Sequence, residues 1–153
     1  DLRIKGVSTH TLFDAQVGGS LYNNRRHYPT RENNLADVDQ FDKAETDKKP
    51  LDYYQVLYDV NETNSEYVED ATFLKFRELS VRYTFNRGQL ENLLGGFFKR
   101  VSLSLIGRNL KTWTNYTGYD PEVSTSGDAG IYRFDGSQYP NYRTFTGAVE
   151  LEF

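Results

Sequence analysis

The sequence holds no cysteine, no methionine and a single tryptophan among its 153 residues. Without cysteine there is no disulfide, no thiolate nucleophile and no zinc–thiolate centre. The only histidines, His10 and His27, have neither the HExxH spacing of a zinc hydrolase nor a recognisable triad motif around them. Gly-rich phosphate loops are missing too. The net charge of -4 and pI near 5.2 give no basic surface for a nucleic-acid partner. Apolar runs of about 18 residues are also absent, which excludes a transmembrane helix. A transmembrane barrel stays open, because its strands carry alternation and not long apolar runs. No catalytic residue, metal site or cofactor is expected from this inventory.

What is present is aromatic residues, at 15%, and alternation. From residue 143 to 153 the chain reads RTFTGAVELEF. Phe145, Gly147, Val149, Leu151 and Phe153 fall on one face, and Thr144, Thr146, Ala148, Glu150 and Glu152 on the other. This period of two describes a strand with an apolar and a polar side. Val101, Leu103, Leu105 and Gly107 oppose Arg100, Ser102, Ser104 and Arg108, with Ile106 as the exception. Leu79, Val81, Tyr83 and Phe85 oppose Glu78, Ser80, Arg82 and Thr84. The same strand extends upstream to Ala71, where Phe73, Lys75 and Arg77 would continue the apolar phase above the hydrocarbon. A weaker strand covers 3–17, with Val7, Phe13, Ala15 and Val17 sharing a face with Thr9 and Thr11.

Four strands are therefore expected, at about 3–17, 71–86, 99–110 and 143–153. Their connections alternate between long (18–70), short (87–98) and long (111–142). That rhythm suits a membrane barrel with long extracellular loops, a short periplasmic turn and a periplasmic end at Phe153. The apolar faces would then meet the lipid bilayer, and Arg100, Arg108 and Glu150 would face the lumen. There they line a solute path, meet a plug, or pair with neighbouring strand carboxylates such as Glu78. The short turn carries QLENLL followed by Gly95-Gly96, a helical turn with a glycine stop or an irregular turn. About eight strands is the smallest barrel, and the chain opens at Asp1 with neither Met nor a signal peptide. A fragment, or a sheet completed by a second chain, is expected.

Of the 12 tyrosines only Tyr83 falls in a strand. The others crowd the two long loops, as a ligand-facing surface or as an interfacial girdle with loop packing. Trp113, Tyr116, Tyr119 and Tyr132 are the candidate substrate contacts. Asp37, Asp39 and Asp42 resemble a calcium cluster in chemistry but lack the glycine and distal glutamate of an EF-hand, so a solvated acidic turn is expected. Asp120 and Glu122 flank Pro121 and read as an Asp-Pro turn rather than an acid–base pair. The sequons at Asn61 and Asn115 are short enough to arise by chance.

Several segments resemble the C-terminal part of the SusC/RagA-like family of TonB-dependent outer-membrane transporters. The most specific are GRNLKTWTNYTGYDPEV from Gly107 to Val123 and FLKFRELSVRYTF from Phe73 to Phe85. DAQVGGSLYN from Asp14 to Asn23 and the ending from Tyr142 to Phe153 fit the same order. The resemblance implies an all-β fold, the last four antiparallel strands of a barrel of about 22 strands. It implies an upstream plug, coupling to the TonB complex through a segment not present here, and a SusD-like surface lipoprotein as partner. Family members import large nutrients, glycan oligomers or peptides, across the outer membrane of Gram-negative bacteria. Phe153 resembles the signal read by the barrel-assembly machinery. The competing readings are a soluble carbohydrate-binding β-sandwich and a secreted glycosidase. The first needs more strands at closer spacing and the second a convincing carboxylate pair.

Overall fold

A computed structural model describes residues 1–32, 34, 36–59, 61, 65–122 and 133–153. The chain divides into two compact units. One comprises Asp1–Ala15, Leu74–Trp113 and Asn141–Phe153, and the other Gln16–Phe73 and Thr114–Pro140.

The first unit is a sheet. Its strands are β1 (Leu2–Ile4), β2 (Val7–Gln16), β5 (Phe73–Thr84), β6 (Arg100–Thr114) and β8 (Thr144–Glu152), in the order β1-β2-β5-β6-β8. The segment expected as one strand over 3–17 is a hairpin, with Ile4 opposite Val7. Its two loop residues, Lys5 and Gly6, have φ of 45° and 87°. A two-residue hairpin of type I′ needs this sign at both positions, because only that twist matches the flanking strands. A side chain at Gly6 would place its Cβ 2.8 Å from the Thr84 carbonyl.

Between β6 and β8 the register sets like against like. Leu103 faces Val149, Leu105 faces Gly147 and Gly107 faces Phe145, while Ser102 faces Glu150 and Arg100 faces Glu152. The apolar side is uncovered: Leu105 is 71% exposed, Phe145 76% and Val149 65%. Fully burying such a side chain contributes roughly 1.5–3 kcal/mol, and that contribution is missing here.

The alternation slips in two places. On β5, Phe76 stacks on Phe13 with ring centroids 4.5 Å apart. Its neighbour Arg77 pairs with Asp14 at 2.6 Å. Phe13 shares its phase with Val7 on the apolar side of the β1–β2 hairpin, so Phe76 is apolar-facing and Arg77 polar-facing. Glu78 accepts from Arg108 at 2.8 Å, again on the polar side. Two consecutive residues share one face, the signature of a bulge. Phe76, and not Arg77, therefore occupies the apolar phase, contrary to strict extrapolation upstream.

On β6, which runs beyond the expected 99–110, Asn109 has φ of 52° and donates its amide to the Tyr142 carbonyl at 2.9 Å. Leu110 then joins the apolar face. Its Cδ2 lies 2.9 Å from where a Gly107 Cβ would stand, and the Phe145 ring is 3.4 Å from the same point. A side chain there would have to displace the Leu110 methyl.

The short connection forms helix α3 (Arg87–Leu94). Asn86 and Gln89 cap it reciprocally, at 3.0 and 2.9 Å, and Gly95 ends it with φ of 67°. This is a capping box followed by a left-handed stop.

The second unit gathers most of the two long connections. It contains β3 (Ser20–Asn23), β4 (Val68–Asp70) and β7 (Phe134–Asp135), in the order β4-β3-β7, together with helices α1 (Asn24–Arg31) and α2 (Leu51–Tyr58). Short 3-10 turns lie at Ala36–Val38 and Ser65–Tyr67. The connections are not open polar loops, because Leu21, Ala71 and Tyr116 form a buried cluster of their own.

Candidate functional site

In the sheet unit the polar face is a ladder of ion pairs between strands. Arg108 reaches Glu78 at 2.8 Å, Arg82 reaches Glu150 at 3.3 Å and Arg100 reaches Glu152 at 3.3 Å. Arg82 also donates to the Ser104 hydroxyl at 3.1 Å, and Thr84 and Ser102 share a hydroxyl contact at 3.0 Å. Of the three residues expected to face a lumen, Arg100, Arg108 and Glu150, each has its charge met from another strand of the sheet, Glu150 by Arg82 across the intervening β6. This face is polar with its charges locally matched, which leaves it a weak long-range field.

Phe153 stands in an aromatic cluster with Phe97 and Phe98, at 5.6 and 5.2 Å between centroids. The Lys99 amide donates to the Glu152 carbonyl at 2.7 Å. The last residues are thus held by both backbone and rings.

Trp113, near the end of β6, is 46% exposed. Tyr119, in the loop unit, is 60% exposed, with the Arg25 guanidinium 3.5 Å above its ring. Tyr116 differs from both. It is 5% exposed, and its hydroxyl donates to Asp135 Oδ2 at 2.5 Å. Further chain can only bury it more, so Tyr116 is a packing residue and not a surface that a solute meets. Burial, with the Asp135 hydrogen bond and charge next, pushes its hydroxyl pKa well above the usual tyrosine value. Tyr132 lies outside the described residues.

Around this core the loop unit is knit by polar bonds. Asn23 donates to Glu69 at 2.9 Å and to the Thr117 hydroxyl at 3.1 Å. Thr117 in turn donates its amide to Glu69 at 2.8 Å. Arg26 pairs with Glu66 at 3.3 Å. His27 is buried, stacked on Tyr67 at 4.4 Å and hydrogen-bonded to the Tyr22 hydroxyl at 2.5 Å. Burial, then repulsion from Tyr67, raises the Tyr22 pKa. His10 meets Asp1 at 2.8 Å in the sheet unit. Neither histidine joins a metal-binding group, and none exists among the described residues. Asp120 accepts from the Glu122 amide at 3.0 Å, a turn contact.

Two recesses open on the loop unit. One, of about 430 Å³, is lined by Arg26, Lys43, Lys49, Tyr53, Tyr54 and Tyr67. The other, of about 580 Å³, is lined by Asn24, Arg25, Tyr28, Asn34 and Ser137 among others. Sequence reasoning selected tyrosines but missed Arg25 and Arg26. The RR pair at 25–26 was the available signal, though the two side chains have opposite fates.

No protein-family model matches the chain. It is 30% identical to a TonB-dependent receptor of Formosa agariphila over 151 residues, 93% of the chain and 14% of that receptor. A second TonB-dependent receptor of the same organism is 30% identical over 166 residues, all of the chain and 16% of the receptor. In structure, the chain superimposes on the RagAB peptide importer in its 'open-open' state with a TM-score of 0.63 and 23% identity. The match covers 97% of the chain and 16% of the importer chain. The 'closed-closed' state gives the same score. The chain thus spans about a sixth of the proteins it matches or less, and its relatives are receptors and transporters rather than enzymes. Over nearly its whole length the chain is related in sequence to TonB-dependent receptors, and its fold is that of a segment of the RagAB importer.

Proposed function

We propose that the chain is the closing wall and two outer loops of a TonB-dependent outer-membrane transporter of a Gram-negative bacterium. The transporter imports large nutrients, glycan oligomers or peptides. The observation that carries this reading is the sheet with an uncovered apolar face and an ion-paired polar face. Lipid supplies the missing cover on one side and a water-filled, plugged lumen suits the other.

In this reading β2, β5, β6 and β8 are the last four strands of a barrel of about 22, and β1 is the foot of the strand before them. The 87–98 connection is the periplasmic turn, and the loop unit is extracellular. A SusD-like lipoprotein lids the loops, as the two-component RagAB importer suggests. The TonB complex acts through upstream sequence, and Phe153 serves the barrel-assembly machinery. The chain carries no catalysis.

The test is fractionation of the native protein. The expected result is an outer-membrane protein whose gel mobility changes on boiling and whose uptake of labelled oligomers needs TonB. A water-soluble monomer of 17.7 kDa would overturn the proposal in favour of a soluble sugar-binding β-sandwich. That alternative needs a second sheet over Leu105, Phe145 and Val149, and these are exposed.

A further inference from the structure

The wider recess of the loop unit has a feature that packing does not explain. Arg25 is half-buried and lines it, and its guanidinium carbon lies 3.5 Å from the centre of the Tyr119 ring, over its face. Among the described residues no carboxylate pairs with it. By contrast Arg26, Arg77, Arg82, Arg87, Arg100 and Arg108 each have one. The adjacent Arg26 is tied to Glu66.

Stacking occupies the face of a guanidinium and leaves its in-plane N–H fork free. That fork matches the two oxygens of a carboxylate. A partly desolvated cation with no carboxylate bonded to it among the described residues favours an anion arriving there. Around it, Asn24 and Asn34 offer amides and Ser137 a hydroxyl. Tyr28, also lining the recess, is 56% exposed and offers a ring face with a polar tip. A volume of about 580 Å³ falls in the range of small-ligand sites.

We propose that this recess is a subsite for a carboxylate group carried by the imported oligomer, with Arg25 as the reader and Tyr119 as the residue that holds Arg25 in plane. The proposal rests on the transporter reading and names the chemistry of its cargo. Two oligomers present such a group beside a ring or apolar surface: a uronate-containing glycan and an acidic peptide.

The experiment uses the full-length transporter in detergent and calorimetric titration. The probes are trigalacturonate and triglutamate, each beside its neutral counterpart, galactotriose and triglutamine. At least one acidic probe should bind, and its neutral counterpart at least about ten-fold more weakly. Arg25→Gln should reduce acidic binding to the neutral level, and Arg25→Lys, which keeps charge but loses the fork, should fall between. Binding of the glycan alone assigns a uronate, of the peptide alone an acidic peptide, and of both the carboxylate itself.

No saturable binding of either acidic probe, or acidic binding unchanged in Arg25→Gln, would overturn the proposal. Should Arg25→Gln fail to assemble, Arg25→Lys carries the comparison. Boiling-dependent gel mobility of the same preparation reports the barrel separately. A lost subsite and a lost transporter are therefore distinguishable.

Discussion

The sheet unit and the loop unit solve the same problem in opposite ways. In the sheet, side chains sort by face, and much of the apolar face is uncovered: Leu105, Phe145 and Val149 are exposed, while Val101 at one end of that face is buried. In the loop unit Leu21, Ala71 and Tyr116 are buried together inside it, although Phe41 and Val56 remain exposed. Polar bonds through Asn23, Glu69, Thr117 and Asp135 do the rest. On the transporter reading one unit takes its stability from its surroundings, and the other builds an interior. A substitution should therefore be judged by environment in the first and by partners in the second.

The largest expected effect breaks the face rule of the sheet. On the transporter reading Val149→Arg places a charge on the lipid side, at roughly 2–4 kcal/mol near the bilayer midplane. Outer-membrane assembly, read by boiling-dependent mobility, should be lost. Thr146→Arg, on the opposite face, should assemble; equal behaviour of the two would invert or abolish the assigned faces.

A comparable cost with a different readout is expected in the loop unit. Leu21 is fully buried, and Leu21→Ala should cost about 2–5 kcal/mol. Limited proteolysis should cut within 18–70 while the sheet still resists. Protection equal to wild type would show that the loop unit has no core of its own.

Tyr116→Phe is a smaller perturbation. It leaves the buried Asp135 without its 2.5 Å donor, a loss of about 1–3 kcal/mol. The Tyr116 pKa is raised in the fold, so its contribution to stability is fully present below the unfolded value of about 10 and declines above it. Loop-unit proteolysis should quicken above about pH 10 in the wild type, and Tyr116→Phe should flatten that dependence.

The smallest effect belongs to the ladder. Arg82 and Glu150 are both more than half exposed, so Glu150→Gln should change stability by less than about 1 kcal/mol. A large loss of assembly would show that the pair lies in a drier place than the isolated sheet suggests.

Alternation was legible wherever strands ran without interruption. Over 100–108 and 143–153 the faces read from the sequence agree with the observed pairs from Arg100–Glu152 to Arg108–Thr144. It failed at the bulges, because an inserted residue on one strand is defined by the strand opposite. Nothing in Arg77-Glu78 itself announces the slip. Asn109 offered a weak sign, since asparagine tolerates positive φ. Lys5-Gly6 was a missed hairpin signal, and it hid the split of 3–17.

The site was less legible than the fold. Tyr116 and Tyr119 are three residues apart in one loop, yet one is buried and the other exposed. Composition assigned them the same role. Likewise Arg25 and Arg26 are neighbours, one stacked on a tyrosine and the other paired with Glu66.

By itself the sequence determined which residues form strands with one apolar and one polar face, where the short turn falls, and which family the chain resembles. A period of two is a local property of the backbone, carried by each segment alone. Only the tertiary structure decided where the phase slips, that the long connections fold around Leu21 and Tyr116, and which of two adjacent arginines is paired with a carboxylate. Those outcomes depend on contacts such as Tyr116–Asp135 and Asn23–Thr117. Their partners are far apart or differently placed along the chain, and only folding brings them within hydrogen-bond reach.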